Sequence, residues 1–442
     1  MAPQEKRILV LGGGFAGVYA ALHLERVFRR DHSIKITLVS DENFLLFTPM
    51  LPEVASSSIE AKHIISPIRA FFRRVQFLNS EVLAIDLEKR RVTISHCPAC
   101  QRRELEFHYL VVALGSTTNF YGLPGVAENA LPMKTLSDGM MLRNHIINLF
   151  EHADMETDLE LRRSMLTFVV AGGGFAGTET VAELSDFAST VRHYYAHIRP
   201  EQMRFVLVHP GSRIMPEISE DLAGYALKRL RERGVEVLLK TGVKSAGAGW
   251  VELTTDERLL SQTLIWTAGI SPNPLLATLP CARNKRGQIV VNKYLEVPDY
   301  PGVWALGDCA EVPEPRTGKP YAPTAQLAVR QGKIVAENIF ASLCGGRKRE
   351  FVYQPLGVLA SLGWRSAVAE ICGFKFSGFF AWWLWRTVYL LKLPGLERKV
   401  RVALDWTLDL FFPRDVVLLR LFTKSVASKL PLDSADKREW FT

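Results

Sequence analysis

The chain has 442 residues and a formal net charge of +8, with 48% hydrophobic and 23% charged residues. This length is more than one hydrophobic core usually serves, so we expect two or three globular domains of ordinary composition. The positive charge favours an anionic partner. Because the basic residues form no arginine-rich arm and no nucleic-acid motif, we expect a membrane surface and exclude nucleic acid.

The expected compartment follows from features that the sequence lacks. No apolar stretch reaches the roughly 20 residues that a bilayer-spanning helix needs. The polar residues 1–7 lead directly into an apolar strand, so we expect no signal peptide. Six scattered cysteines fit a reducing compartment better than a disulfide framework. Together these features predict a cytoplasmic protein without a membrane span.

The first predicted unit begins with a glycine-rich turn between a strand and a helix. Residues 8–11 form an apolar strand, Gly12-Gly13-Gly14-Phe15-Ala16-Gly17 follows, and a helix is predicted over residues 16–28. In such a turn Gly12 permits the bend, Gly14 lets the backbone approach a pyrophosphate, and Gly17 allows close helix–strand packing. The N–H groups and the positive helix end then face the phosphates, which predicts a dinucleotide site.

The next elements continue an alternating α/β pattern. A strand over residues 34–39 ends before Ser40-Asp41-Glu42, where an acid usually hydrogen-bonds the ribose hydroxyls. Either Asp41 or Glu42 is a candidate for that contact. Later, an apolar strand over residues 109–113 leads into Leu114-Gly115-Ser116, and Ala113 and Gly115 are further candidates for cofactor contact.

A cysteine pair lies between these strands. Residues 82–87 and 91–95 predict a hairpin, with Cys97-Pro98-Ala99-Cys100 at its tip. A redox CxxC pair is expected at a helix N-terminus, and one pair supplies only half of a zinc site. We therefore favour a structural or incidental role, with a zinc ion shared with another chain as the alternative. We predict no metal site within the chain.

The glycine pattern returns 160 residues further on. Residues 167–170 form an apolar strand, and Gly172-Gly173-Gly174-Phe175-Ala176-Gly177 opens a helix predicted over residues 176–185. Gly172, Gly174, Phe175 and Gly177 are the candidate contacts. One such turn is a weak signal, but two in the same strand–turn–helix context predict two dinucleotides in one chain. The usual purpose of such a pair is electron transfer from a nicotinamide to a flavin.

The second unit lacks the usual ribose-binding acid. Its strand over residues 204–208 ends at His209-Pro210. A histidine there tolerates a 2′-phosphate, so NADPH stays open beside NADH, and the alternative is a solvent-exposed loop histidine. A later strand over residues 264–267 ends at Ala268-Gly269, which are candidates for contact with the dinucleotide.

Two more segments complete the nucleotide-binding part. A stretch beginning at residues 287–291 ends in Val303-Trp304-Ala305-Leu306-Gly307-Asp308. Asp308 follows Gly307 at the edge of a parallel sheet, where it can bind sugar hydroxyls. The alternative is a helix cap. A long helix is predicted over residues 324–343, and the composition changes after Gly345-Gly346, which marks a domain boundary.

The C-terminal segment is aromatic and basic. Residues 365–429 contain eleven Lys or Arg and five Asp or Glu. Aromatic side chains with basic neighbours are typical of proteins that lie at an anionic membrane surface. A hydrophobic dimer interface is the alternative, and the two roles are compatible. The residues that carry this pattern are Trp382, Trp383, Trp385, Trp406, Phe411, Phe412, Arg386, Lys392, Arg401 and Arg414.

Together, these motifs resemble those of the type II NADH dehydrogenases (NADH:quinone oxidoreductases), a family of flavoproteins with two dinucleotide-binding domains. The resemblance covers essentially the whole chain. Residues 47–55 resemble the family segment beside the flavin, residues 113–116 its flavin turn, and residues 305–310 its ribityl motif. Residues 174–179 resemble the second turn, and residues 325–331 the quinone-site helix.

The resemblance implies a fold class and a domain plan. The fold is α/β, with two Rossmann-like domains of the pyridine nucleotide-disulfide reductase type and a C-terminal membrane-associating helical region. Residues 1–125 and 286–345 would form the FAD-binding domain, residues 126–285 the NAD(P)H-binding domain, and residues 346–442 the region for membrane association and dimerisation.

The resemblance also implies an activity and its residues. A hydride would pass from NADH to FAD, and two electrons to a quinone, without proton pumping. The enzyme would be a peripheral homodimer on the cytoplasmic face of the cell membrane. Gly307 and Asp308 would bind the flavin, with Asp308 as ribityl ligand.

The predicted catalytic residues are Glu179, at the nicotinamide–flavin junction, and Gln326 and Gln331, at the quinone site. Glu179 and Gln326 are also predicted to contact cofactor. Arg330 stands where some members have glutamine, and Glu53 is a weaker candidate on the flavin side. The alternative for Glu179 is a helix-start charge that the dipole favours.

Two other functions remain open. A sulfide:quinone oxidoreductase would need an essential cysteine, and a flavin-bound membrane adaptor or redox sensor would show slow turnover with every quinone. Residues 44–55 contain no cysteine, so the dithiol of the disulfide reductases is excluded there. The intact second glycine turn and Gln326 favour the NADH enzyme over both.

Overall fold

The computed structural model describes residues 5–96, 101–316, 318–354 and 357–419. The helices in these ranges are α1 Phe15–Val27, α2 Leu51–Ala55, α3 Val126–Asn129, α4 Leu136–Met155, α5 Leu159–Met165, α6 Phe175–Val191, α7 Glu220–Glu232, α8 Ala325–Cys344, α9 Gly378–Lys392 and α10 Leu396–Leu408.

The strands of the first half are β1 Lys6–Leu11, β2 Ile34–Ser40, β3 Phe44–Leu46, β4 Ile65–Pro67, β5 Gln76–Asn79, β6 Val82–Asp86, β7 Arg91–His96, β8 Gln101–Glu106, β9 Tyr109–Val112, β10 Ser116–Thr118, β11 Ala130–Pro132, β12 Thr167–Ala171 and β13 Arg204–His209. Those of the second half are β14 Val235–Leu239, β15 Val243–Gly247, β16 Trp250–Leu253, β17 Arg258–Leu260, β18 Thr263–Trp266, β19 Ile270–Pro272, β20 Ile289–Val290, β21 Val303–Ala305, β22 Ala310–Glu311, β23 Gly357–Ser361, β24 Ala367–Ile371 and β25 Phe374–Ser377.

The described residues form two compact units. Unit 1 is drawn from the ranges Met1–Leu46, Ile65–Thr117 and Ile270–Gln354, and unit 2 from the ranges Phe47–Ile64, Thr118–Gly269 and Pro355–Thr442. This division differs from the three predicted regions, because the C-terminal segment groups with unit 2. The physical reason is packing: β23 contacts α6, and β24 contacts α7. Residues 47–64 also group with unit 2, because α2 contacts α4 and α6.

Unit 1 is built on a parallel five-stranded sheet in the order β21-β9-β1-β2-β5. The central strand β1 pairs Leu11 with Val39 of β2 and with Val112 of β9. Its residues 8–11 are buried, as both faces of a parallel sheet require. Helix α8 packs on α1 at Gly332, where an added Cβ would lie 2.7 Å from the backbone nitrogen of Ala20. The glycine therefore permits the close approach of the two helices.

Unit 2 repeats this architecture. Its parallel sheet has the order β11-β18-β12-β13-β14, with β12 in the position that β1 holds in unit 1. An antiparallel sheet, β15-β16-β17, follows in the chain, and a second one, β23-β24-β25, lies in the C-terminal segment. The predicted α/β fold with two Rossmann-like sheets is thereby confirmed.

Several predicted elements differ in detail. The hairpin after β5 is part of a three-stranded sheet, β6-β7-β8, and Cys97 and Cys100 lie outside the described residues. Helix α6 continues to Val191, well beyond the predicted end at residue 185. Its added turns include Asp186, whose carboxylate accepts hydrogen bonds from the Arg233 guanidinium at 2.7 Å. The Arg233 guanidinium thus balances the negative charge of Asp186, which lies beyond the predicted end of the helix.

The C-terminal aromatic residues do not form one exposed belt. Trp382, Trp385 and Trp406 are buried, whereas Trp383 is 52% exposed. The guanidinium of Arg386 lies over the rings of Trp382 and Trp406, at 3.9 and 4.8 Å from their centroids. Most of the tryptophans therefore belong to the core of unit 2. Among the described helices, none has the length and apolar character needed to cross a bilayer.

Candidate functional sites

The first glycine turn has two glycines that the backbone requires and one that borders open space. Gly12 has a φ of +107°, and an added Cβ would lie 2.1 Å from the carbonyl oxygen of Ala113. At Gly17 a Cβ would lie 1.9 Å from the carbonyl oxygen of Gly12. At Gly14, the N-cap of α1, nothing lies within 4 Å of an added Cβ. Phe15 and Ala16 begin the helix here, so a phosphate can approach the N–H groups of its first turn.

The acidic pair after β2 lies at the same edge of the sheet. Asp41 is exposed, and its carboxylate accepts a hydrogen bond from the Glu42 N–H at 3.0 Å. Burial, assisted by the neighbouring Asp41 charge, raises the pKa of Glu42. Both side chains are exposed, so Asp41 and Glu42 both remain candidates for a ribose contact.

Three separate sequence motifs meet around Asp308 in unit 1. The Ser116 hydroxyl, next to Gly115, donates to Oδ2 of Asp308 at 2.6 Å. The Gly307 N–H donates to Oε1 of the buried Gln331 at 2.7 Å. The next helix, α8, is capped by Thr324, so Asp308 does not serve as its cap. Asp308 is thus held at the C-terminal edge of the sheet, where the predicted ribityl contact would be made.

Cys309 lies beside this turn but has little reactivity. Its buried Sγ donates to the carbonyl oxygens of Val112 and Leu306 at 3.3 and 3.2 Å. Burial raises the pKa of the thiol to about 11. A protonated, enclosed thiol is a poor nucleophile, so this cysteine does not supply the reactive sulfur that a sulfide-oxidising enzyme needs.

The predicted quinone-site glutamines have different surroundings. Gln331 is fully engaged as a support for the Gly307 turn. Gln326 is half-buried, and its Oε1 accepts a hydrogen bond from the Tyr353 hydroxyl at 3.0 Å. The Arg330 guanidinium lies 4.5 Å from the centroid of the Tyr353 ring. Tyr353 was not predicted as a site residue, because it follows the predicted domain boundary and belongs to no motif.

The second glycine turn, in unit 2, reproduces the first. Gly172 has a φ of +110°, and an added Cβ would lie 2.7 Å from Oγ1 of Thr267. At Gly177 a Cβ would lie 1.8 Å from the Gly172 carbonyl oxygen, whereas at Gly174 nothing lies within 4 Å. Phe175 begins α6 directly behind this open position. The two turns therefore offer equivalent sites for a pyrophosphate.

The second predicted edge of this site is the segment Ala268-Gly269. An added Cβ at Gly269 would lie 2.4 Å from the hydroxyl oxygen of Tyr121, which means that the Tyr121 side chain covers this glycine. The Tyr121 side chain is 60% exposed. This aromatic cover belongs to no sequence motif and was not predicted.

Glu179 lies inside α6 and not at its exposed start. It is the fifth residue of the helix, its side chain is 8% exposed, and its Oε1 accepts a hydrogen bond from the Ser361 N–H at 3.0 Å. Burial raises the pKa of Glu179 to about 8, although the Ser361 N–H opposes this shift. The interpretation as a simple helix-start charge is therefore disfavoured, and the carboxyl is protonated at neutral pH.

Glu179 adjoins a group of buried or half-buried ionisable residues that we call the buried charge cluster: Glu53, Glu183, Asp409, Arg386 and Arg414. Nη2 of Arg414 lies 3.5 Å from Oε2 of Glu183, and its Nε lies 3.2 Å from Oδ1 of Asp409. The Trp406 N–H donates to Oε1 of Glu53 at 2.9 Å. Ser361 links the cluster to Glu179, since its hydroxyl donates to Glu183 at 3.3 Å.

The cluster contains more carboxyls than its cations can balance. Burial and the Glu183 charge raise the pKa of Glu53 well above its usual range. Its Oε2 has no hydrogen-bond partner among the described residues. Burial likewise raises the pKa of Glu183, although Arg414 opposes this shift. Burial therefore favours the protonated forms of Glu53 and Glu179. Arg414 is buried and Arg386 half-buried in this cluster, which corrects the prediction that both arginines face a membrane.

The exposed apolar surface of the C-terminal segment is carried by α10 and the residues after it. Leu396, Val400, Leu404 and Leu408 are exposed and follow one another at intervals of four residues. This spacing places them along one face of the helix. Phe411 and Phe412, directly after the helix, are 77% and 64% exposed.

Two family profiles match the chain. One describes pyridine nucleotide-disulphide oxidoreductases and matches residues 6–332, and the other describes the NDH2 C-terminal domain and matches residues 356–415. The type II NADH:quinone oxidoreductase Ndh of Mycobacterium tuberculosis is 31% identical over 430 aligned positions, with 93% of this chain and 89% of that protein covered.

Solved structures show the same fold. A structure of NDH2 from Plasmodium falciparum in complex with NADH has a TM-score of 0.87 at 20% identity, covering 94% of this chain and 100% of that one. The sulfide:quinone oxidoreductase of Aquifex aeolicus has a TM-score of 0.69 at 18% identity, covering 92% of this chain and 95% of that one. At such identities the likeness concerns the fold alone.

Proposed function

The chain belongs to the pyridine nucleotide-disulphide oxidoreductases and, within them, to the type II NADH:quinone oxidoreductases. On this premise we propose that unit 1 holds FAD and unit 2 binds the nicotinamide nucleotide that reduces it. The family resemblance and the assignment as an oxidoreductase of the NADH:quinone class are confirmed by these matches. The roles of individual residues are our proposal.

The residues of unit 1 fit a flavin dinucleotide. Open space at Gly14 leaves room for a pyrophosphate at the N-terminus of α1, and Asp41 stands where a ribose would lie. Asp308, held by Ser116, is placed for the ribityl hydroxyls. When bound, FAD supplies hydride acceptance and the return of two electrons to a quinone. The observation that carries the proposal is the matched pair of glycine turns, each with an open second glycine.

Unit 2 binds and orients the nicotinamide nucleotide in this proposal. The N–H groups at Gly174 hold its pyrophosphate, and Ala268 and Gly269 border the site. Glu179 stands five residues into the same helix and carries a proton at neutral pH. In this form it places no negative charge beside the nicotinamide ring. It can release its proton when the pH rises or when a nearby charge lowers its pKa.

The quinone site is proposed around Gln326. Its side chain is oriented by the Tyr353 hydroxyl, and Arg330 is oriented by the Tyr353 ring. Gln331 acts as a positioning residue, because its side-chain oxygen already holds the Gly307 N–H. The proposed reaction transfers two electrons to a membrane quinone and involves no proton pumping.

Membrane association is proposed through the apolar face of α10 and the residues Phe411 and Phe412. Lys392 and Arg401 are exposed near this face and suit anionic lipid headgroups. The membrane is the cell membrane, contacted from its cytoplasmic side. A homodimer is proposed as well, with the same apolar residues as its candidate interface. Sedimentation equilibrium with and without lipid would show whether this surface binds a second copy of the chain or the membrane.

The test of the proposed function is an anaerobic titration of the purified protein. We expect the visible absorbance of the oxidised flavin to bleach on addition of NADH and to recover on addition of a soluble quinone. Bleaching by sulfide and not by NADH would instead support the sulfide-oxidising alternative. Flavin that responds to neither would support an adaptor or sensor.

A further inference from the structure

The segment after β13 in unit 2 bears on the choice between NADH and NADPH, which the proposed function leaves open. In a dinucleotide-binding sheet, the residue after the second strand of the βαβ unit lies beside the ribose of the adenosine half. An acid there binds the 2′-hydroxyl of NADH and repels the 2′-phosphate of NADPH. In this chain β13 ends at His209, and the first acid that follows in sequence is Glu217.

The imidazole of His209 is part of the glycine turn itself. Its Nδ1 accepts a hydrogen bond from the Gly173 N–H at 3.1 Å. An added Cβ at Gly173 would lie 2.8 Å from the ring, and one at Gly211 would lie 2.6 Å from Nε2. The ring is therefore enclosed between the turn and the loop that follows β13. The position beside the ribose is filled by an uncharged group with a fixed orientation.

The protonation state of His209 follows from these contacts. Burial lowers the pKa of the imidazole, while a backbone hydrogen bond with Arg213 and the charge of Glu217 oppose the shift. Protonation of Nδ1 would also break its hydrogen bond with Gly173. At neutral pH the ring neither repels a phosphate nor offers the carboxylate that binds a ribose hydroxyl pair.

Two cations flank the same loop. Nη2 of Arg213 donates to the Pro216 carbonyl oxygen at 2.7 Å, which holds the half-buried guanidinium in the loop after β13. Lys240, exposed at the end of the neighbouring strand β14, donates its backbone N–H to the Gly211 carbonyl oxygen at 2.9 Å. Among the described residues Arg213 forms no ion pair with a carboxylate. A guanidinium has five N–H donors, so one bond to a carbonyl leaves others for a phosphate.

We propose that His209 and Arg213 make unit 2 a site for 2′-phosphorylated nicotinamide dinucleotide, so that the 2′-phosphate adds to the affinity and the protein binds NADPH more tightly than NADH. This inference rests on the proposed function, in which unit 2 holds the reducing nucleotide. His209 acts by replacing the acid, and Arg213 acts by pairing with the 2′-phosphate. Lys240, exposed after β14, adds a second positive charge beside this loop.

The test compares two adenosine ligands by isothermal titration of the flavin-loaded protein, which requires no turnover. Adenosine 2′,5′-bisphosphate differs from AMP only by the 2′-phosphate. We expect the bisphosphate to bind about tenfold more tightly than AMP, because a charge-assisted pair is worth roughly one decade or more. Equal affinities for the two ligands would overturn the inference.

Variants locate the effect. Arg213→Gln is expected to reduce the preference for the bisphosphate by about tenfold. Arg231→Gln removes the same charge from an exposed position in the last turn of α7 and should leave the preference unchanged. His209→Glu should weaken the bisphosphate and strengthen NADH, whereas His209→Asn, which stays neutral, should keep the preference. An unaltered preference in both Arg213→Gln and His209→Glu would contradict our assignment.

A parallel titration with NADH separates failure of this inference from failure of the proposed function. If NADH binds and the 2′-phosphate contributes nothing, only the NADPH assignment is wrong. If neither NADH nor the bisphosphate binds to the folded, flavin-loaded protein, unit 2 is not the nucleotide site and both proposals fail.

Discussion

Glu179 illustrates how the position of a residue within a helix decides what its carboxyl group can do. At the start of α6 it would be an ionised side chain near the helix dipole, but at the fifth position it faces the core of unit 2. Burial then keeps it protonated, with a pKa of about 8. A carboxyl that titrates near neutral pH is suited to proton transfer, which an exposed glutamate with an ordinary pKa is not.

Replacement of Glu179 by Gln should slow NADH-dependent quinone reduction by about tenfold or more, because the amide keeps the hydrogen bond with Ser361 but cannot release a proton. The measurement is the steady-state rate with a soluble quinone. Glu220→Gln, at an exposed position in the first turn of α7, is the matched control. Wild-type kinetics in Glu179→Gln would remove this residue from the mechanism.

The same residue predicts a pH dependence of stability. Because the folded-state pKa of Glu179 is raised from 4.5 to about 8, the native state binds more protons than the unfolded state between these values. The contribution is present below the unfolded pKa and is lost as the pH rises through about 8, so the free energy of unfolding falls with increasing pH. Urea denaturation from pH 5 to 9 (roughly the titration window) should show a shallower decline in Glu179→Gln than in the wild type.

Arg414 is expected to be critical to the stability of unit 2. Although burial lowers its pKa, the Glu183 and Asp409 carboxylates more than offset this effect and raise it. Arg414→Met would leave both carboxylates buried without their cation, at a cost of about 3–5 kcal/mol in the free energy of unfolding. Arg401→Met, which removes an exposed pair with Glu397, should cost about 0–1 kcal/mol.

Chemical denaturation measures both variants. A Glu183→Gln background should reduce the loss caused by Arg414→Met, because fewer charges are then left unpaired. Equal losses for the buried and the exposed arginine would mean that the buried charge cluster contributes no specific stabilisation.

At the scale of elements, the two strand–turn–helix units show that glycines in one motif have separate roles. Gly12 and Gly17 satisfy close backbone contacts within unit 1, whereas Gly14 borders open space at the start of α1. The first two are required by the fold, and we propose that Gly14 leaves room for the pyrophosphate of a bound dinucleotide. The corresponding glycines of unit 2, Gly172 and Gly174, divide in the same way.

This difference predicts opposite phenotypes for two alanine variants. Gly12→Ala forces a Cβ against the Ala113 carbonyl oxygen at a φ of +107°. The free energy of unfolding should therefore fall by roughly 2–4 kcal/mol, with or without flavin. Gly14→Ala has a negative φ and no clash, so the flavin-free protein should keep its melting temperature.

Flavin content distinguishes the two variants further. Gly14→Ala should retain less FAD than the wild type, because the methyl group occupies the space of the pyrophosphate. Melting curves of flavin-free protein and flavin absorbance after purification are the measurements. Full retention of FAD by Gly14→Ala would move the cofactor away from this helix N-terminus.

At the scale of the whole molecule, the net charge of +8 acts together with the apolar residues of the C-terminal segment. In the proposed membrane contact, the exposed apolar side chains on α10 would supply binding that does not depend on salt, whereas the net charge would supply attraction that salt screens. Their combination favours an anionic bilayer over a neutral one.

Binding to lipid vesicles tests this expectation. Sedimentation should show stronger binding to vesicles containing anionic lipid than to neutral vesicles, with a decrease as salt is raised. Leu404→Gln should weaken binding, and Leu159→Gln, at an equally exposed leucine of α5, should not. Unchanged binding in Leu404→Gln would place the contact elsewhere. Turnover with a soluble quinone should remain normal in both.

Much of the fold could be predicted from the sequence because its signals are local. The turns at Gly12 and Gly172, the apolar strands before them and the helix capped by Thr324 were all predicted, the last within one residue. The environment of Arg386 and Arg414 was not, since it includes Glu183, which lies more than 200 residues away from both in the chain. Aromatic and basic composition alone cannot separate a buried arginine from one on a membrane surface.

The sequence by itself determined the two dinucleotide-binding units, the family, and the positions of Asp308 and Glu179 in their motifs, because backbone conformation and strand burial depend on neighbouring residues. Only the tertiary structure decided which side chains are charged and which are held by hydrogen bonds within the fold. Glu53 is paired with Trp406, Gln331 is committed to Gly307, and His209 is enclosed by two glycines. These properties depend on burial and on hydrogen bonds with residues such as Trp406, Gly307 and Gly173, which the chain brings close only on folding, and no local pattern contains that information.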